Sequence, residues 1–345
     1  MKKKLILALT TVFVTGIFGG CGSDMSYSTD ADAGVESSKT GTSETEDTVT
    51  IRVGDIMALG TVAPFVTEDL GYFEEAGIDV QILQFSDGTA LSEAFAAGEI
   101  DVALVGIAPT ATWYQKGVDL QVIAAANGGG HVILVRSDSG IDSLEDLKGK
   151  ILAEPNLGTV TDTLLRDYIL PQANLDPEND LIIEPGLKPA DMATSLFATG
   201  EVDAIITWEP YVSQAIEQYG DEVKILYDSP IEIKKESGSD TFYPVNIVSA
   251  SQDLITNHPE ELEKFVAVYK KTVDYINTDP EANAEIGKVL SLDESIIEAA
   301  RDRVDFNYEI DIDGLNSTLS WTKDLGYLGE LPDNEAFYNT DFIHE

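Results

Sequence analysis

The chain has 345 residues, with 62 Asp plus Glu against 21 Lys plus Arg and a formal net charge of -41. Phosphate contacts need clustered Lys and Arg, so this balance excludes a nucleic-acid partner held through a basic footprint, and an anionic membrane surface likewise. With 43% hydrophobic residues the chain buries a real core, and its length corresponds to roughly two domains of ordinary size.

Met1 is followed by Lys2, Lys3 and Lys4, an apolar-rich run from Leu5 to Phe18, and then Gly19, Gly20 and Cys21. That run is too short to span a membrane comfortably and reads as a signal peptide over residues 1–20. The small residues before Cys21 resemble a lipobox, with Phe18 departing from the usual aliphatic residue. Lipidation at Cys21 would anchor an extracytoplasmic protein to the outer face of the cell membrane. It would also use up the single cysteine, which leaves no disulfide framework and no thiol catalysis. Up to Thr48, Ser, Thr, Asp, Glu and Gly dominate without apolar periodicity, so residues 21–48 read as the lipidated cysteine and a disordered tether.

Strands and helices then alternate. Strands are expected at Val49 to Val53, Val80 to Leu83, Val102 to Val105, Leu120 to Ala125 and His131 to Val135. Helices are expected at Phe65 to Phe73, at Thr89 to Ala97 and from Ala111. A second series begins after Arg136, with strands at Ile151 to Ala153, Leu181 to Ile183, Ala204 to Thr207 and Val223 to Tyr227. Its helices fall at Thr161 to Leu170, Ala190 to Ala198 and Tyr211 to Tyr219. Phe242 to Ala250 reads as one more strand, and Pro259 to Asn277, Pro280 to Val289, Glu294 to Val304 and Leu315 to Leu325 as helices. Such alternation predicts parallel sheets covered by helices.

The two series echo each other. Phe95-Ala-Ala-Gly-Glu-Ile-Asp-Val-Ala-Leu104 matches Phe197-Ala-Thr-Gly-Glu-Val-Asp-Ala-Ile-Ile206, and Leu59-Gly-Thr-Val62 matches Leu157-Gly-Thr-Val160. In open parallel sheets the ligand crevice lies beyond the C-terminal strand ends, where loops feed helix N-termini. Both Leu-Gly-Thr-Val segments fall there, as ordinary helix caps or as loops for a polar or anionic ligand. Aligned on its glycines, the repeat sets Trp208 where the first lobe has Gly106, either as a stacking surface with room opposite or as a core tryptophan. His131, after Asn-Gly-Gly-Gly, is a ligand donor or a satisfied edge residue.

The sequence has no Gly-x-Ser-x-Gly elbow, Walker A loop, His-Glu-x-x-His, Rossmann glycine pattern or cysteine pair, so no catalytic residue, metal or cofactor is assigned. Of five arginines, Arg52 falls in a strand and Arg301 and Arg303 on a late helix, so no bidentate arginine clamp for a sulfonate or carboxylate is visible. Asp55, Asp87 and Glu209, if they face the cleft, would suit an amine or ring N–H instead, which keeps a zwitterion such as taurine, or an aminopyrimidine, open alongside a plain anion.

Leu70-Gly-Tyr-Phe-Glu-Glu-Ala-Gly-Ile-Asp79, the Ala-Gly-Glu-Ile-Asp-Val run to Val102, Ser143-Leu-Glu-Asp-Leu-Lys-Gly149, Gly158-Thr159 and Ala204-Ile-Ile-Thr-Trp-Glu-Pro210 together resemble the substrate-binding proteins of ABC importers. The nearest group is the nitrate, taurine and alkanesulfonate type, which includes binders of thiamine pyrimidine precursors. The resemblance implies an α/β, two-lobed type II periplasmic-binding-protein fold, each lobe a mostly parallel sheet flanked by helices. Two crossovers would join lobe 1 (residues 49–137 plus 233–345) to lobe 2 (138–232). The family's ligand loops would map onto Asp55, Gly60, Thr61, Asp87, Gly88, Gly106, Ile107, Asn156, Gly158, Thr159 and Trp208, with His131 and Glu209 added from the same edge. The implied role is a monomeric binding lipoprotein, not an enzyme, that delivers a small polar molecule to an ABC permease and its ATPase. The alternatives are a thiamine-precursor pyrimidine as ligand, or a biosynthetic enzyme of the same fold.

Overall fold

The computed structural model describes residues 49–85 and 88–344; Cys21, Asp87 and the segments expected as signal peptide and tether lie outside them. Among the described residues the strands are, in chain order, β1 (Thr50–Asp55), β2 (Asp79–Gln84), β3 (Val102–Gly106), β4 (Leu120–Gly129), β5 (His131–Arg136), β6 (Ile151–Ala153), β7 (Ile182–Glu184), β8 (Ala204–Trp208), β9 (Val223–Asp228), β10 (Pro244–Ser251) and β11 (Val304–Phe306). They form two sheets, ordered β11-β4-β10-β3-β1-β2 and β7-β6-β8-β5-β9. In the first, β1 to β4 share one direction, while β10 runs against its neighbours β3 and β4, and β11 against β4. In the second only β5 opposes the rest. Both sheets are therefore mixed, with parallel pairing along β2-β1-β3 in the first and β7-β6-β8 in the second. Such strands are covered on both faces, and β3 is apolar and buried along its whole length.

Two expectations need correcting. His131–Arg136 was expected in the first lobe, with the boundary between residues 137 and 138. The strand instead pairs with β8 and β9 in the second sheet, so the chain crosses over at Gly130. A continuous apolar run carries no record of which sheet it joins; the turn into the new sheet is made by Gly129 and Gly130, both at positive φ. A side chain on Gly129 would overlap the Arg303 carbonyl. The second correction concerns the helix expected over Glu294 to Val304. It stops at Arg301, and Val304 and Phe306 turn inward as β11 along the Asn127–Gly129 end of β4, leaving Arg303 between helix and strand.

One apolar cluster joins the two lobes. It contains Ala108 and Ala111 of helix Ile107–Gln115, Ile133 and Ile206 of the second sheet, and Leu315 and Leu319 of helix Ile312–Asp324. Trp321 of that last helix meets Tyr168 of the second lobe, ring centroids 5.4 Å apart. The opposite face of the first sheet is covered by helix Pro259–Thr278, whose Phe265 stacks on Phe73 at 5.8 Å. Truncating a fully buried ring such as Phe265 to alanine costs ~3–5 kcal/mol.

Asp55 ends β1 inside this core. Its side chain has no solvent exposure; Oδ1 accepts the Met57 N–H, and Oδ2 has no partner among the described residues. Burial pushes the carboxyl up to about 8. The folded protein therefore keeps a proton on Asp55 that the unfolded chain releases near pH 4. Stability from this group is full below that point and declines as pH rises toward about 8. Asp55→Asn should raise Tm by an amount that grows between pH 5 and pH 8, measured by calorimetry; a gain that does not change with pH would show that Asp55 is ionised throughout.

Candidate functional site

A cavity of about 180 Å³ opens where the C-terminal strand ends of both sheets meet the crossovers. From the first lobe it is bounded by Ile56, Ala58, Gly60, Gly88, Val105, Gly106 and Pro109. The crossover strands contribute Asn127, Gly129, Gly130, His131, Val245, Asn246 and Val304. The second lobe adds Pro155, Asn156, Thr159 to Thr161, Gly186 to Pro189, Trp208, Glu209 and Tyr211.

The first-lobe wall depends on Gly60. The short helical turn Leu59–Thr61 follows β1, and a Cβ on Gly60 would overlap the Asn127 side chain. With glycine there, Asn127 lies over the turn and its Oδ1 accepts from Asn246 Nδ2 at 2.7 Å. Gly106 and Trp208 are the last residues of β3 and β8, and both border the cavity. A Cβ on Gly106 would lie 3.2 Å from Val160 Cγ2, so the lobes meet edge to edge at the rim.

On the second-lobe side, Trp208 pairs with His131 across the β8–β5 ladder, ring centroids 6.2 Å apart and edge-on. The indole Nε1 is buried without a hydrogen-bond partner among the described residues. His131 is 3% exposed, and burial lowers it to about 3, so its ring is neutral at physiological pH. Nδ1 lies 2.9 Å from the Tyr243 hydroxyl.

The charged groups at the cavity differ in kind. Glu209 is fully engaged: it accepts from the Ser213 N–H and hydroxyl, each at 3.0 Å, and from Arg303 at 3.2 Å. Arg303 also binds Asp228, at 2.7 Å. Burial raises the Glu209 carboxyl above its usual range, against the pull of Ser213 and Arg303. Lys188, in contrast, is exposed at the cavity mouth and has no ion-pair partner among the described residues.

Of the residues expected at the site, Gly60, Gly88, Gly106, His131, Asn156, Thr159, Trp208 and Glu209 border this cavity. Four others do not. Asp55 lies behind it in the core, and Thr61 is buried with its hydroxyl on the Ala58 carbonyl at 3.3 Å. Ile107 packs into the apolar cluster, and Gly158 donates its N–H to Asp162 at 2.7 Å and faces Tyr327. Asp87 lies outside the described residues. Asn127, Asn246, Lys188 and Tyr211 were missed. Lys188 had a signal: the segment after β7 is the second-lobe counterpart of the segment after β2, where Gly88 is expected at the ligand edge. Among the described residues no group of three or more His, Cys, Asp or Glu side chains converges as a metal site.

Comparison with known proteins agrees with this architecture. A Bacillus subtilis protein named as an aliphatic sulfonates-binding protein is 26% identical over 305 residues, covering 86% of this chain and 81% of its own. The periplasmic aliphatic sulphonate binding protein SsuA of Escherichia coli superposes with a TM-score of 0.68 at 22% identity, over 84% of this chain and 92% of that one. The periplasmic nitrate-binding protein NrtA of Synechocystis gives 0.73 at 13% identity, over 86% and 88%. The fold is therefore that of the periplasmic binding proteins. A family model described as NMT1/THI5 like matches residues 61–283, more than half of the sequence, and the chain belongs to that family.

Proposed function

We propose that this protein is an extracytoplasmic binding lipoprotein that holds a small organic sulfonate between its lobes and passes it to an ABC permease and its ATPase. The observation that carries this reading is the charge at the cavity: among the described residues Glu209 is the one carboxylate bordering it and is engaged by Ser213 and Arg303, while the Lys188 ammonium has no ion-pair partner. An ammonium donates and cannot accept. Lys188 therefore favours a ligand with acceptor oxygens. The carboxylates that would suit an amine are out of play: Asp55 is not at the cavity, and Glu209 is taken by Ser213 and Arg303. Ile56, Val105, Pro109, Leu187 and Val245 give the remaining wall an apolar character that matches a hydrocarbon body. The name of the Bacillus relative supports the same class. Within this reading the chain binds its ligand without turning it over, and Cys21 carries the lipid.

A thermal-shift screen of the mature protein against alkanesulfonates, taurine, nitrate and pyrimidines tests the reading. A ligand at 100 times its Kd adds about 2.7 kcal/mol of stability. Alkanesulfonates should raise Tm by several degrees, and Lys188→Ala should weaken them about tenfold, the worth of one charge-assisted contact of ~1.4 kcal/mol. A response to pyrimidines alone would move the assignment to a thiamine-precursor binder. Gly60→Ala should displace Asn127 and weaken binding, read as a lost Trp208 fluorescence response with Tm of the free protein little changed. Cys21→Ser should move the protein from the membrane to the soluble fraction on cell fractionation.

A further inference from the structure

Tyr243 stands behind His131, away from the cavity, and the binding reading gives it no task. Its ring stacks on the imidazole at 6.1 Å and 22°, and its far side meets Trp321 edge-on at 5.8 Å. The phenol is buried, so its oxygen must find partners inside the protein. Ser229 Oγ is buried with no hydrogen-bond partner among the described residues, so it does not hold the phenol. The one acceptor within 2.9 Å for the phenolic proton is His131 Nδ1.

A neutral imidazole carries one N–H and one lone pair, and the bond made by one nitrogen decides where the proton sits on the other. If Nδ1 accepts from Tyr243, the proton resides on Nε2, across the ring and toward the cavity that His131 borders. We propose that Tyr243 is a positioning residue that fixes His131 as the Nε2–H tautomer, making an uncharged N–H donor for the acceptor oxygens of the ligand. Trp208, the direct ladder partner of His131 on β8, forms the wall beside this donor. A sulfonate oxygen can accept from such an N–H, whereas an amine cation finds no lone pair there. The ligand class rests on the binding reading above; the tautomer does not.

The test uses the full mature chain labelled with 15N-histidine. It has three histidines, His131, His258 and His344, so assignment by substitution is direct. In long-range 1H–15N spectra at pH 7 without ligand, His131 should show a pyridine-like Nδ1 and a pyrrole-like Nε2. Tyr243→Phe, which keeps the ring, should shift this toward a tautomer mixture and weaken ethanesulfonate about tenfold. His131→Gln, whose amide can present a donor near the Nε2 position, should retain more affinity than His131→Leu. A pyrrole-like Nδ1 in the wild-type chain, or an unchanged tautomer in Tyr243→Phe, overturns the proposal. If ethanesulfonate fails to bind the wild-type chain while the tautomer is as stated, the binding reading fails and the role of Tyr243 stands.

Discussion

Arg303 holds two carboxylates that could not remain where they are without it. Glu209 has no side-chain exposure and Asp228 has 13%, and both bind the same guanidinium, itself 14% exposed. Taking one partner from a buried ion pair costs ~3–5 kcal/mol, because the other charge is left without water or counter-ion. The arginine is fixed in turn by its place between helix Glu294–Arg301 and β11, whose Asp305 accepts the main-chain N–H groups of Gly128 and Phe242. Gly128 lies on the outgoing crossover and Phe242 on the return. Three neighbouring residues, Arg303 to Asp305, thus tie both crossovers to the wall that carries Trp208 and Glu209. The cavity's shape follows from that brace.

The same brace leaves no unpaired carboxylate at the cavity among the described residues. At physiological ionic strength the field of surface charges fades over ~8 Å, so groups at the cavity itself decide what a ligand meets. Asp55 is set back in the core, where burial favours its protonated form. Glu209 borders the cavity, yet both its oxygens are occupied by Ser213 and Arg303. Of the charged groups bordering the cavity among the described residues, that leaves the Lys188 ammonium, and the neutral imidazole of His131 borders it as well.

Much of this was legible in the sequence because the protein repeats itself. The glycine-aligned match between residues 95–104 and 197–206 places Gly106 and Trp208 at equivalent strand ends, and both border the cavity. The second match was less informative. Gly60 and Thr159 reach the cavity, but Thr61 and Gly158 turn away, because in each segment the side chains and N–H groups are divided between ligand edge and helix cap. Placement of His131–Arg136 failed for a different reason. An apolar strand suits either sheet, and the choice is made by backbone direction at Gly129 and Gly130 and by partners about 70 to 95 residues away in β8 and β9. Asn127 and Asn246 lie far apart in sequence and meet only because β10 inserts beside β4. No local pattern records such a contact.

The scarcity of arginine also bears on how an anion is held. Arg52 binds Asp101, Arg136 binds Asp138, Arg166 binds Glu154, Asp162 and Glu178, and Arg303 binds Glu209 and Asp228. Arg301 turns to Asn283 and the Phe306 ring. Four of five guanidinium groups are thus engaged by carboxylates, as expected where acids outnumber bases about threefold. A guanidinium placed in the cavity would face the same competition: a neighbouring carboxylate would pair with it, and the ligand would have to displace that pair. Neutral donors avoid the problem, because a carboxylate gains less from an indole or imidazole N–H than from a cation and loses its hydration in reaching one. Under the proposed function, a cavity that relies on the His131 imidazole, with one lysine at its mouth, keeps its donors available inside a strongly acidic protein.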